Sequence, residues 1–254
     1  MTDRIALFPL SAVLFPGVVL PLHLFEERYL RMLADLRAGP EPHRFGVVAL
    51  ELGRETAGFG VPGVPGEPGG PGVPAEPLAS DGLSGLGGAG EPPAPLRLAE
   101  IGCVADLQEV VPLPEDRYDV VSVGGRRFRL KELDRSGPYL CGDVEYLPEE
   151  TGAAGADLVR RVRRLFHLYR HRLAAAGADV GDPAELPDDP VALSYLVAAA
   201  TVLDPADKQR LLAAEDAAHR LRAERDLLLR ETRLLDALPT VPAGQFLDAS
   251  AHPN

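Results

Sequence analysis

Residues Ile5–Leu36 read IALFPLSAVLFPGVVLPLHLFEERYLRMLADL, and this stretch decides the fold. Ile5 to Leu10 and Val18 to Leu22 are apolar runs of strand length, separated by Phe15-Pro16-Gly17, a turn signal. Phe25, Tyr29, Met32, Leu33 and Leu36 then fall at i, i+4, i+7, i+8 and i+11, which predicts a helix with one apolar face. Glu26 and Glu27 stand in its first turn, where the helix dipole favours anions, and Gly39-Pro40 ends it. Phe25 and Tyr29 fit the core side of that helix. Arg44 to Leu50 (RFGVVAL) follows as a buried strand.

Strand signals resume beyond residue 100. Ile101, Cys103, Ala105 and Leu107 alternate, as do Tyr118, Val120 and Ser122 against Val121 and Val123, with a hairpin turn expected over Pro112 to Arg117. Gly124-Gly125 predicts another tight reversal into Arg126 to Leu133, and Tyr139 to Leu147 is the last strand. Six short strands and one helix predict a small closed or half-closed barrel, because closure removes exposed edges. From Gly152 the pattern turns helical: Leu158, Val162, Leu165, Phe166, Tyr169 and Leu173 repeat at three- and four-residue spacing. Asp189-Pro190 and Asp204-Pro205 are N-cap and first-turn pairs that start two further helices. A final helix is expected from Asp216 to Leu238. The fold class is α+β, with a β-rich part over residues 1–148, a helical bundle over 149–239 and a loose tail over 240–254.

Residues Thr56 to Pro95 hold 12 of the 26 glycines and 9 of the 25 prolines, with no Lys or Arg. Such a segment buries too little apolar area to offset the entropy of ordering, so a disordered insertion between two strands is expected. The whole chain of 254 residues carries a net charge of -12, which repels phosphates and argues against nucleic-acid binding. Cys103 and Cys141 cannot build a disulfide framework and read as small core residues. No run reaches the ~20 apolar residues of a membrane span, and the amino terminus lacks a signal-peptide pattern, so a cytoplasmic protein is expected.

Sites for chemistry are sparse. Ser122 and Lys131 flank the expected reversal, but both fit solvent-facing strand positions better than a nucleophile and its base. His167 and His171 have the i, i+4 spacing of a metal pair, yet Leu168 replaces the glutamate of HExxH and no third ligand is evident. The arginines at 160, 161, 163, 164, 170 and 172 read as a solvated helix face. No metal or cofactor is expected.

Phe8-Pro9-Leu10, Val13 to Gly17, Leu20 to Glu26 and Arg28-Tyr29 resemble, in order, the opening of the LON substrate-binding domain family, the amino-terminal domain of ATP-dependent Lon proteases. Phe45 to Val48, Gly102 to Ala105, Arg117 to Val121, Arg127 to Arg129, Lys208 to Leu212 and Arg220-Leu221 are similar to later parts of the same domain. The resemblance implies a PUA-like β-pseudobarrel followed by a helical bundle. It also implies capture of unfolded polypeptide or a protein partner, linked to an ATP-dependent protease. Neither lysine follows a glycine, so no phosphate-cradling GxxxxGK[ST] loop exists in this sequence, and the peptidase domain with its Ser–Lys dyad is not expected. The chain is therefore expected to bind without catalysing, the alternative being a small-molecule or nucleotide pocket in the barrel. Arg126, Arg127, Phe128 and Arg129, with Leu20, Leu22 and His23 on a nearby strand, are the expected binding surface, since arginine and aromatic side chains are enriched at hot spots.

Overall fold

Leu7, Phe8 and Leu10 are buried on both faces of their strand, which requires neighbours on either side and cover above and below. Accordingly β1 (Asp3–Leu10) pairs in parallel with β3 (Arg44–Ala49) and antiparallel with β6 (Cys141–Tyr146). The computed structural model describes residues 2–50, 97–181 and 185–237. The Gly/Pro-rich segment 56–95, Leu238 and the tail 240–254 lie outside the described residues. The chain divides between Leu147 and Pro148 into two compact units.

The first unit adds β2 (Val19–Leu24), α1 (Glu27–Ala38), β4 (Ile101–Leu113) and β5 (Arg117–Asp134). The strand order is β2-β5-β4-β3-β1-β6, and β5 pairs again with β6. Five strands thus close into a ring, with β2 outside it on the first half of β5, from Val19 opposite Val123 to Leu24 opposite Tyr118. β4 and β5 are joined by a hairpin whose Glu115 and Asp116 sit at φ 62° and 53°, the left-handed pair of a tight turn.

The reversal expected at Gly124-Gly125 does not exist: Arg117–Asp134 is one continuous strand. Gly124 is there because another backbone crosses it. A Cβ at Gly124 would lie 2.1 Å from the Phe15 carbonyl oxygen. The Gly17 N–H donates to Gly124 O at 2.7 Å, and the Gly124 N–H donates to Val18 O at 2.8 Å. A register shift between Cys103 and Ala105 marks the same place on β4.

Both faces of the sheet are packed. On one, α1 lays Tyr29, Met32 and Leu33 against Phe8, Leu10, Leu24, Phe45 and Val120, with the Phe8 and Tyr29 rings stacked at 4.1 Å. On the other, Leu7, Val48, Val104, Phe128 and Val144 form a second cluster. Phe25 does not join the helical core as its spacing suggests. The helix starts at Glu27, Glu26 is an extended N-cap, and Phe25, one residue earlier, is 52% exposed.

The second unit holds α2 (Ala156–Ala175), α3 (Pro190–Ala200), α4 (Pro205–Leu212) and α5 (Ala217–Ala237). Asp189 accepts from the Ala192 N–H at 2.8 Å and Asp204 from the Asp207 N–H at 2.7 Å, so both caps read from sequence are made. The core is Val162, Phe166, Tyr169, Leu193, Val197, Leu221 and Leu228. Two charged residues of α5 are buried beside it. Arg220 is well bonded, donating to Leu211 O at 2.9 Å, Ser194 Oγ at 2.8 Å and Tyr195 OH at 2.9 Å. Glu224, one turn on, has no hydrogen-bond partner for either carboxylate oxygen among the described residues.

Candidate functional site

The open strand of the sheet is β2, and its sequence explains why it stays at the edge. Pro21 has no N–H and cannot serve a strand paired on both sides. The Val18 carbonyl faces β5, since it accepts from Gly124. Antiparallel strands direct successive residues to opposite sides, so Leu20, Leu22 and Leu24 address β5, while Val19, Pro21 and His23 address the side on which no strand pairs among the described residues.

Side chains alternate with the same period. Leu22 and Leu24 point into the α1 core with Val120, and Leu20 packs against them. Val19, Pro21 and His23 take the opposite face, above Val123, Val121 and Asp119 of β5, their direct partners in register. On β4 the row continues with Asp106 opposite Val123, Glu109 opposite Val121 and Val111 opposite Asp119. Val19 is 58% exposed and Val111 41%. His23 Nδ1 lies 2.8 Å from Asp119 Oδ1, and its ring is tilted 6.0 Å from that of Phe25. The result is an apolar strip of Val19, Pro21, Val121, Val123, Val111 and Phe25, crossed by the His23–Asp119 pair, flanked on β4 by Asp106 and Glu109, and bordered by a strand with a single neighbour among the described residues.

The residues expected to form the binding surface are dispersed. Arg127 is 1% exposed and Phe128 is buried in the second cluster, so neither can meet a partner from the surface. Leu22 is likewise core, and Leu20 is half-buried against it. Arg126 is exposed but lies over the Tyr146 ring at 4.6 Å, and Arg129 bridges Glu100 at 3.0 Å. The expected nearness of residues 126–129 to β2 fails for a topological reason: β2 ends its pairing at Val123, and the second half of β5 belongs to β4 and β6. Of the expected set, His23 alone lies on the strip. Val19 and Pro21 lie within the strand Val18 to Leu22 expected to border the surface but were not singled out, and Phe25 was expected in the helical core, because exposed apolar residues in a strand-like run look like core until the edge is known.

The other candidates resolve simply. Ser122 is buried, contrary to its expected solvent position, and Lys131 bridges Glu145 at 2.7 Å. Nine residues of one extended strand separate them, about 30 Å, which rules out a dyad. His167 and His171 lie exposed on α2, and no group of three or more His, Cys, Asp or Glu placed to hold a metal occurs among the described residues. The arginine face is partly tethered: Arg163 bridges Asp188 at 3.0 Å, Arg172 bridges Asp236 at 3.0 Å and Arg170 donates to Val180 O at 2.7 Å. Cys103 is buried, and Cys141 is partly so, with its thiol pKa pushed up by burial.

The family model described as the ATP-dependent protease La (LON) substrate-binding domain matches residues 4–230. The chain belongs to the LON substrate-binding domain family. Among the relatives, this LON domain is 30% identical to the Lon protease of Desulfovibrio desulfuricans over 147 residues, 57% of this chain and 17% of the relative. It is 26% identical to Lon protease 2 of Myxococcus xanthus over 232 residues, 89% of this chain and 23% of the relative. The chain therefore spans about a quarter or less of the length of these relatives. Two solved structures share the LON fold. The N-terminal domain of Mycobacterium avium complex Lon protease superposes with a TM-score of 0.58 at 18% identity, covering 93% of this chain and 100% of that one. The Lon N-terminal domain protein from Xanthomonas campestris gives 0.52 at 19%, covering 93% and 99%. Membership supports substrate recognition in a Lon-related setting. No helix among the described residues is long and apolar enough to cross a membrane.

Proposed function

We propose that this protein is a non-catalytic recognition module that takes up unfolded polypeptide segments or a protein partner and works with a separate ATP-dependent protease. The observation that carries the reading is the exposed apolar strip beside the open β2 strand. Unfolded chains expose apolar side chains and unpaired backbone groups, and this surface offers complements to both. The alternative of a small-molecule pocket in the barrel has less support, because Leu7, Phe128 and their neighbours fill one face of the ring and the α1 core fills the other.

Fluorescence anisotropy with labelled, reduced and carbamidomethylated lysozyme, a basic chain whose capped cysteines carry no charge, tests the reading. The protein should bind this permanently unfolded client, and the double variant Val19→Lys/Phe25→Glu should weaken binding at least tenfold while remaining folded. No binding by the unaltered protein would overturn it. Incubation with casein, with and without ATP, should leave the casein intact; cleavage by the pure protein would remove the non-catalytic part.

A further inference from the structure

We propose that an extended client segment of apolar and basic character adds to this sheet as a seventh strand, antiparallel to β2. This rests on the recognition reading above and states its mode and the chemistry of the client.

Three observations support it. First, among the described residues β2 is the terminal strand, hydrogen-bonded to β5 alone. The parity set by the Val18–Gly124 bond turns the N–H groups of Val19 and His23, and the carbonyls of Val19, Pro21 and His23, toward the vacant side. Such a row is a template for strand addition, and natural sheets usually blunt it with charged side chains, proline or bulges. Of these devices β2 carries Pro21, which removes one N–H; residues 19–24 contain no lysine, and no register shift interrupts the β2–β5 pairing. Second, residues of an incoming antiparallel strand that oppose Val19, Pro21 and His23 place their side chains on the same face as the apolar strip. Every second client residue is therefore selected to be apolar. Third, carboxylates dominate the surroundings: Glu26 follows β2, Glu109 lies on β4, Glu115 and Asp116 form the β4–β5 turn, and Asp119 lies on β5. Arg28 and Arg117 bridge Glu26 and Glu115 and neutralise them, which leaves Glu109, Asp116 and Asp119 as the surplus of negative charge. An acidic segment is repelled here and a basic one attracted.

Pro21 also sets a register. The edge presents three carbonyls but two N–H groups, so a client amide opposite Pro21 finds an acceptor while its carbonyl finds no donor. Segments with a weakly demanding position at the centre of the added strand lose least.

The test uses the full chain and a capped seven-residue peptide alternating valine with arginine, followed by amide hydrogen exchange in NMR. The peptide should bind and slow exchange at Val19 and His23. N-methylation of the valine amides should weaken it at least tenfold, N-methylation of the arginine amides should change it less than twofold, and replacing arginine by glutamate should weaken it at least tenfold. A peptide that binds equally well with either methylation pattern would overturn strand addition and leave the recognition reading standing. Failure of both the peptide and unfolded lysozyme to bind would remove both. Protection of Val19 and His23 without peptide, with sedimentation as a dimer, would assign the edge to a second copy and overturn the proposal.

Discussion

Glu224→Gln should stabilise the helical unit by an amount that grows with pH. Glu224 is buried on α5, its carboxylate oxygens have no hydrogen-bond partner among the described residues, and burial holds its pKa well above the ordinary glutamate range despite the opposing charge of Arg220. The folded protein therefore keeps a proton that the unfolded chain releases near pH ~4.3. Between that pH and the raised folded value, the folded state binds one more proton than the unfolded state. Linkage then makes stability fall as pH rises, by about 1.4 kcal/mol per pH unit for one full proton. Glutamine has nearly the same shape and cannot ionise. Urea unfolding followed by far-UV circular dichroism, for both proteins from pH 4 to pH 7, reads the effect. The two should differ little at pH 4, and the gap in favour of glutamine should widen by ~1.4 kcal/mol per unit above the ordinary carboxyl range until the buried group ionises. A constant gap across the range would mean that Glu224 is charged in the folded state and that its carboxylate has found a partner.

Phe128→Ala should cost about 3–5 kcal/mol in thermal unfolding of the β-rich unit, since the ring is fully buried in the second cluster. Val19→Lys, by contrast, should change stability by less than ~0.5 kcal/mol in the same assay. Gly124→Ala should destabilise by about 1–3 kcal/mol, because the new Cβ meets the Phe15 backbone and not a side chain that can swing away; native-state hydrogen exchange should show the loss first at Gly17 and Gly124. Asp204→Ala should lower the stability of the helical unit by ~1 kcal/mol by removing the acceptor for the Asp207 N–H, a loss that chemical denaturation can measure.

Local chemistry makes much of this fold readable before any coordinates. The Asp-Pro caps of α3 and α4, the apolar face of α2 and the alternation of β4 depend on neighbours a few residues away. What could not be read depends on residues far apart. Gly124-Gly125 has the composition of a turn, but its cause is a backbone crossing from Phe15, more than a hundred residues earlier. Arg127 sits in a stretch of alternating arginines that looks solvated, yet its side chain is buried. The candidate site was hidden for the same reason: whether Val19 and Pro21 are core or surface turns on which strand lies beside β2, and no pattern within β2 states that. Phe25 was misplaced by two residues of helix boundary, the usual scale of such errors.

Leu50 and Leu98 face each other in an antiparallel bridge, and the Ala99 N–H donates to Ala49 O at 2.9 Å. The polypeptide thus departs from and returns to one spot on the ring, its exit and re-entry about 5 Å apart. Closing a connection between such anchors depends only logarithmically on its length, each doubling adding ~0.6 kcal/mol. This junction is consequently a natural port for engineering: a reporter domain or affinity handle whose own termini lie close together can be spliced in place of the native connection, leaving every rung of the ladder on either side intact.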